Sequence, residues 1–315
     1  MKFEMAPLEG ITTYIYRNAH ARYYGKMDKY YTPFLSLHKE KEFSSKELKE
    51  ILPEHNEGLC VIPQVLTNSA EDFWEAAQKL KEMGYEEVNI NFGCPSGTVT
   101  AKGKGAGMLA DLEKIDAFLA KIFENPPVAV SVKTRLGMRD AQEWDALLEI
   151  YKKYPLKELI VHARVRQDFY GNCPNWEAFG KALSGSKFPI CYNGDIFEES
   201  SYEKLRQTFP TLERVMLGRG LIADPALIGK LRGQQAVSKE EEKARLRAFH
   251  DELYAGYQEI QSGERNVLFR MKEFWVYMIQ SFENAEKYGK KIRKANRCAE
   301  YEGVINELFR DCPTG

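Results

Sequence analysis

A chain of 315 residues can hold one large domain with an appendage, or two medium domains. Its 45 Lys and Arg nearly cancel its 46 Asp and Glu, so contact with nucleic acid would have to come from a local basic patch and not from overall charge. Hydrophobic content of 43% beside 29% charged residues fits a globular core, and no apolar run approaches the roughly 20 residues of a membrane span.

Short apolar runs alternate with amphipathic helical stretches up to about residue 232. In chain order, strands are expected over residues 3–6, 29–32, 59–65, 87–91, 128–133, 158–162, 189–193 and 214–217. A helix is expected over 70–83, with Phe73, Ala76, Ala77 and Leu80 on one face, and others over 112–123 and 144–154. Thr67-Asn68-Ser69 marks the start of the first of these, and Ser200-Ser201 lies near the start of another. Eight strands alternating with helices imply a parallel sheet, and eight repeats favour closure into a (β/α)8 TIM barrel. An open doubly wound sheet is the alternative, weakened because Gly-x-Gly-x-x-Gly is missing after the first strand.

The pattern changes after Leu231-Arg232-Gly233. Residues 240–260 and 267–282 read as long helices, a basic stretch follows, and a short helix is expected near 302–309. The expected organisation is an α/β barrel over residues 1–233 and a C-terminal helical domain over 234–315.

The 6 cysteines are scattered without a Cys-x-x-Cys pair, against a zinc ribbon or a disulfide framework. Cys60 and Cys191 sit in apolar runs and are expected in the core. The N-terminus reaches Pro and Gly too soon for a signal peptide. A reducing, cytoplasmic setting is expected, with no metal and no membrane.

Cys94 stands apart from the other cysteines. The run Val88-Asn89-Ile90-Asn91-Phe92 reads as a buried strand that ends abruptly at Gly93-Cys94-Pro95. The Gly-rich, basic segment Lys102-Gly103-Lys104-Gly105-Ala106-Gly107 follows, as suits a loop over a site. In a (β/α)8 enzyme, function gathers where strands end. Here those ends carry Pro7-Leu8-Glu9-Gly10, Gln64, Asn91 and Cys94, Lys133 and Arg135, His162 and Arg164, Asn193-Gly194-Asp195, and Gly218-Arg219-Gly220.

The last two segments follow strands seven and eight, where barrels often bind phosphate; their glycines let backbone N–H groups approach, and Arg219 adds charge. Lys133 ends an apolar run inside the expected barrel mouth. Its ammonium needs an anionic partner there, and a reduced flavin would supply one; a Schiff-base lysine is the competing reading. Gln64 can both donate and accept at the edge of a flavin ring. His162 alone reads equally as a structural histidine or as a ligand.

Taken together, Met-Ala-Pro-Leu-Glu-Gly, Pro-Gln-Val, Asn-Phe-Gly-Cys-Pro-Ser, Val-Lys-Thr-Arg-Leu-Gly, His-Ala-Arg, Asn-Gly-Asp and Leu-Gly-Arg-Gly resemble the dihydrouridine synthases. The resemblance runs through the whole barrel in order, while the tail matches only as a helical region of the expected size. It implies reduction of the C5=C6 bond of particular uridines in RNA, usually tRNA, by FMN that NADPH has reduced. By resemblance, Cys94 is the general acid for C5. Pro7, Leu8 and Glu9 would line the flavin, Gln64 and Lys133 would bond its ring, and His162 would lie beside it. Asn193, Gly194, Asp195, Gly218 and Arg219 would hold the phosphate end, and Asn91 and Arg135 match positions near the substrate base. Two segments depart from the family pattern, Gly107-Met108 after the cysteine and Gln167-Asp168-Phe169-Tyr170-Gly171. Both bear on which RNA is the target more than on the chemistry.

The chemistry is self-consistent. Hydride added at C6 leaves an enolate that a nearby acid must quench at C5. A thiol with a pKa of about 8.5 is mostly protonated at neutral pH and can donate, while a covalent role for Cys94 is the weaker alternative. Extruding the base from folded RNA costs roughly a few kcal/mol. Lys102, Lys104, Arg135, Arg139, Arg164 and Arg166 on the barrel, and Lys287, Lys290, Lys291, Arg293, Lys294 and Arg297 in the tail, are candidates to offset it. The tail distinguishes a tRNA or rRNA uridine reductase, expected as a monomer, from a flavin barrel acting on a free small molecule of the dihydroorotate or enoate kind. A non-catalytic RNA-binding barrel is disfavoured because every strand-end residue needed for flavin is present.

Overall fold

The structure is a computed structural model that describes residues 1–315, the side chain of Lys39 apart. Nine short strands form one sheet: β1 Lys2–Met5, β2 Lys29–Tyr31, β3 Val61–Ile62, β4 Gln64–Val65, β5 Glu87–Phe92, β6 Ala129–Arg135, β7 Leu159–His162, β8 Ile190–Asn193 and β9 Arg214–Leu217. All pairings are parallel, in the order β3-β2-β1-β9-β8-β7-β6-β5-β4. The two ends of that order, β3 and β4, are consecutive in the chain, so the sheet curls round into a (β/α)8 barrel.

The expected strand over 59–65 is split by Pro63, which has no N–H to give a ladder but whose carbonyl still accepts the N–H of Asn89 at 2.9 Å. Residue pairing in β3 starts at Val61, and just before it the Cys60 carbonyl accepts the N–H of Tyr30 at 2.8 Å. Cys60 therefore lies outside the strand and is exposed, correcting the expectation that it is core, whereas Cys191 inside β8 is buried.

The helix Ala70–Glu82 buries Phe73, Ala76, Ala77 and Leu80 as the spacing predicts, and the Ser69 hydroxyl accepts the N–H of Asp72 as its cap. The helix Leu112–Phe123 is capped in the same way by Asp111, and Glu143–Tyr151 ends before the expected residue 154. Inside the barrel, Ala6 just after β1 joins Tyr31, Ile62, Ile160, Cys191 and Met216 from five further strands in a buried cluster.

Below that cluster, where the strands begin, lies an ionic floor. Lys29 Nζ sits 2.9 Å from carboxylate oxygens of both Glu87 and Glu158, and Arg214 Nη1 is 3.9 Å from Glu4 and from Glu158. Three carboxyls face two cations. Burial, and then the neighbouring Glu158, hold the pKa of Glu4 well above the usual carboxylate range, which favours its protonated form. Ligand-type atoms of Glu4, Glu158 and Cys191 lie within 4.8 Å of one another, with Lys29 and Arg214 already supplying positive charge there.

The chain divides into two compact units that interleave in sequence. One comprises Met1–Pro7, Asp28–Asp195 and Lys204–Leu217 and carries every strand; the other comprises Leu8–Met27, Ile196–Glu203 and Gly218–Gly315. A single cut after residue 233 does not separate them, because the early helix Tyr14–Tyr24 packs with the tail: the Tyr16 ring stacks on Phe274 at 5.6 Å and meets the edge of Phe249 at 5.5 Å. The second unit holds the long helices Lys239–Ile260 and Glu264–Met278, joined by His250 and Trp275, which both hydrogen-bond the Tyr301 hydroxyl. The basic stretch forms a helix of its own, Glu286–Lys294, with Tyr288 and Ile292 buried one turn apart. The last helix, Cys298–Asp311, is longer than expected. No helix among the described residues is long and apolar enough to cross a membrane.

Candidate active site

Parallel register brings the polar strand ends level with one another in the first unit. Gln64 pairs with Asn89, Asn91 with Lys133, Arg135 with His162, and His162 with Asn193. A chain of amides crosses this rim: Asn91 Nδ2 donates to Gln64 Oε1 at 2.7 Å, Gln64 Nε2 to Asn89 Oδ1 at 2.8 Å, and Asn89 Nδ2 to the Ser131 hydroxyl at 3.0 Å. Buried amides need such partners. Asn89 and Ser131 are missed as site residues by the sequence reading, although asparagines at every second position of 88–91 were the available sign.

The same network holds the cysteine. Asn91 Oδ1 accepts the N–H of Gly93 at 3.0 Å and of Cys94 at 2.9 Å, fixing the turn that carries the thiol. From the other side, the Cys94 carbonyl accepts the N–H of Ala106 at 3.0 Å. Gly105, with φ +56, lies so close that a Cβ there would come within 3.0 Å of the Cys94 Cβ and carbonyl oxygen. A Cβ at Gly107 would fall 2.6 Å from the Thr100 carbonyl, which accounts for glycine at one of the two departures from the family pattern. Cys94 is half-buried and forms no disulfide.

Lys133 is half-buried and, among the described residues, its ammonium has no hydrogen-bond or ion-pair partner. Burial, and then the positive charge of Arg135, pull its pKa down to about 7. Arg135 is 1% exposed and spends its guanidinium on backbone carbonyls, those of Gly93 at 2.9 Å, Val165 at 3.0 Å and Phe169 at 2.8 Å. It thus ties the Cys94 turn to the loop after β7.

Arg164, expected as a surface contact for RNA, is instead buried. It pairs with both carboxylate oxygens of Asp195 and donates to the carbonyls of Gly171 and Asn172. The carboxylate of Asp195 is therefore turned to Arg164. His162 is buried, with Nε2 3.4 Å from Arg164 Nη1 and the Tyr170 ring 6.2 Å away. Asn193 Nδ2 donates to the Met216 carbonyl at 3.0 Å. At Gly194 a Cβ would meet the Tyr192 hydroxyl at 2.2 Å, so only glycine passes. Arg166 reaches back to the carbonyl of Pro95 at 3.2 Å, while Lys102 and Arg139 are exposed.

Pro7 closes the first segment of this unit, half-buried. Leu8, Glu9, Gly218 and Arg219 belong to the second unit. There Leu8 N–H donates to the Thr12 hydroxyl at 2.7 Å, Glu9 is exposed, Gly218 precedes the helix Arg219–Ala223, and Arg219 lies over the Phe197 ring at 5.5 Å. In the basic helix, Lys287, Lys290, Arg293 and Lys294 are exposed, and Lys291 pairs with Glu307 at 2.7 Å.

A parallel barrel with a thiol, a lysine and a row of amides on its C-terminal rim carries its polar groups where (β/α)8 enzymes place their active sites. The old yellow enzyme homologue of Zymomonas mobilis superposes with a TM-score of 0.53 at 11% identity, over 75% of this chain and 90% of that one. Morphinone reductase gives 0.51 at 13% identity, over 75% and 88%. At such identities the likeness is one of fold. The family model for dihydrouridine synthase (Dus) matches residues 4–310, and the chain belongs to that family of enzymes. Similar relatives include the tRNA-dihydrouridine(16) synthase of Cupriavidus necator, 26% identical over 96% of both chains. A probable tRNA-dihydrouridine synthase 1 of Synechocystis is 26% identical over 96% of this chain and 85% of its own. The probable tRNA-dihydrouridine synthase 2 of Bacillus subtilis is 24% identical over 98% and 94%.

Proposed function

We propose that this enzyme reduces the C5=C6 bond of specific uridines in tRNA to dihydrouridine, in the cytoplasm, with FMN as resident cofactor and NADPH as reductant. The observation that carries this reading is Cys94, whose backbone N–H is latched by Asn91 at the rim that also bears the unpartnered Lys133. A half-buried ammonium without a counter-charge fits the acceptor-rich edge of a flavin ring, and Gln64 keeps one N–H beyond those it spends on Asn89. In the first unit Pro7, Gln64, Lys133, His162, Asn193, Gly194 and Asp195 are assigned to the cofactor; by chain order Leu8, Glu9, Gly218 and Arg219, directly after β1 and β9, are assigned to it as well. When bound, FMN supplies the hydride for C6.

Cys94 then gives its thiol proton to C5, so that one hydride and one proton account for the two hydrogens added. Asn91 and Arg135 hold the turn from which that proton leaves, one through the Cys94 N–H and the other through the Gly93 carbonyl. Lys290, Arg293, Lys294 and Arg297 are assigned to RNA phosphates, whose binding offsets the cost of extruding the base.

The test is to supply the purified protein with NADPH and an unmodified tRNA transcript, and to map dihydrouridine by mass spectrometry. Dihydrouridine at a defined position, with FMN released on denaturation, is expected. Release of FAD would overturn the cofactor assignment, and efficient turnover of a free pyrimidine would overturn the substrate assignment.

A further inference from the structure

The loop after β7 presents two large rings to solvent, Phe169 at 45% and Tyr170 at 44% exposure. The backbone beneath them is strained. Phe169 stands at φ +50 and ψ −92, a conformation that costs a residue with a Cβ and that glycine adopts freely. The surrounding hydrogen bonds hold it there. Its carbonyl accepts from the buried Arg135 at 2.8 Å, and its N–H donates to the Arg166 carbonyl at 3.1 Å. The Asp168 carboxylate accepts from Val165 N–H at 3.1 Å and from Asn172 at 2.6 Å, and buried Arg164 holds the carbonyls of Gly171 and Asn172. Two buried arginines are thus spent on fixing a surface loop.

The strain sends successive rings to different partners. Tyr170 lies beside His162 and 5.8 Å from the Arg135 guanidinium. Phe169 lies under the guanidinium of Arg166 at 5.1 Å and, among the described residues, has no aromatic neighbour. Arg166 is itself tied to the carbonyl of Pro95, the residue after Cys94, and to the Thr100 hydroxyl. The half-exposed ring of Phe169 is therefore linked through Arg166 to the backbone next to Cys94.

Resting on the proposed RNA substrate, we propose that Phe169, with Arg166 over it, is a stacking subsite for an unpaired nucleobase flanking the target uridine. Once the target is drawn toward Cys94, its neighbour loses a stacking partner and exposes a π-face. An aromatic ring accepts any base by that face, and a cation over the ring adds to the attraction. The guanidinium of Arg166 keeps N–H groups at Nη1 for an adjacent phosphate.

The test uses the full-length flavin-loaded protein with Phe169→Ala and Phe169→Trp, and tRNA or oligonucleotides carrying 2-aminopurine beside the target uridine. Phe169→Ala is expected to lower kcat/KM for dihydrouridine formation by about 5- to 150-fold, with flavin content unchanged. It should also abolish the quenching of 2-aminopurine, and Phe169→Trp should restore both. Retention of activity within twofold by Phe169→Ala, or equal loss in Phe169→Trp, would overturn the subsite. If the wild-type protein forms no dihydrouridine in any RNA, the proposed function fails; quenching that differs between wild type and Phe169→Ala on a single-stranded oligonucleotide still decides the subsite.

Discussion

The side-chain oxygen of Asn91 holds the backbone N–H of Cys94 at 2.9 Å while its amide donates to Gln64 at 2.7 Å, so one residue joins the cysteine turn to the amide row across the rim. Its position on β5, opposite Lys133, makes it the hub of the candidate site.

Replacing Asn91 with Ala should strand the N–H groups of Gly93 and Cys94. A buried donor left unpaired costs about 1–3 kcal/mol, measurable as a lower unfolding free energy in denaturant titrations. Dihydrouridine formation should fall with it, chiefly in kcat. Unchanged stability and turnover would mean that the turn is held by Ala106 and Arg135 alone.

Cys94→Ala removes the proposed proton donor but none of the groups assigned to the cofactor. Flavin should remain bound and reducible by NADPH, while uridine reduction drops by about 10²–10⁴-fold, the usual contribution of general acid catalysis. Single-turnover measurements with tRNA check this; near-normal rates would exclude Cys94 from proton delivery.

Lys133 carries a pH signature. Its folded pKa, about 7, lies below the unfolded value of about 10.4. Between those two values the unfolded chain binds the extra proton, so Lys133 by itself contributes a gain in stability of the flavin-free protein as pH rises from 7 toward 10. Lys133→Met should accordingly stabilise the flavin-free protein most below pH 7, with the advantage shrinking above it, and should weaken flavin retention. Thermal unfolding of both proteins across that range is the measurement. A difference independent of pH would refute the assignment of an unpaired charge.

In the basic helix, neutralising Lys290 and Lys294 should each lower the slope of log K against log salt for tRNA by about 0.7–0.9. Lys291, already paired with Glu307, should contribute less. Flavin content should be untouched. Equal slopes in wild type and the double variant would remove the helix from the RNA contact.

Much of this was legible because barrels write themselves locally. Strand β9 falls on the expected residues, and the helix Ala70–Glu82 follows its apolar spacing and its Ser69 cap. The split at Pro63 was visible as a residue without an N–H, yet the apolar run around it masked the break, and Cys60 was drawn inward with it. The extra turns of Cys298–Asp311 and the helix at Glu286–Lys294 were hidden by charge, since Tyr288 and Ile292 form too thin an apolar stripe to stand out. What no local pattern carries is pairing at a distance. Tyr16 on Phe274, Arg164 on Asp195, and Arg135 on three carbonyls are products of the fold, and they decide which basic residues are free for RNA.

The ionic floor gives the barrel a polarity that its sequence charge conceals. With its pKa raised by burial, Glu4 binds its proton more tightly in the folded chain than in the unfolded one, so its contribution to stability is full below the unfolded carboxylate range and is lost as pH rises above it. Lys133 at the opposite rim works in reverse, with acid as its adversary. The two ends of the flavin-free barrel thus respond to pH in opposite senses. An anionic cofactor settled against Lys133 would relieve the penalty on its charged form and leave the contribution of Glu4 untouched, so loading the cofactor should stabilise the protein most at the low pH where Lys133 is charged.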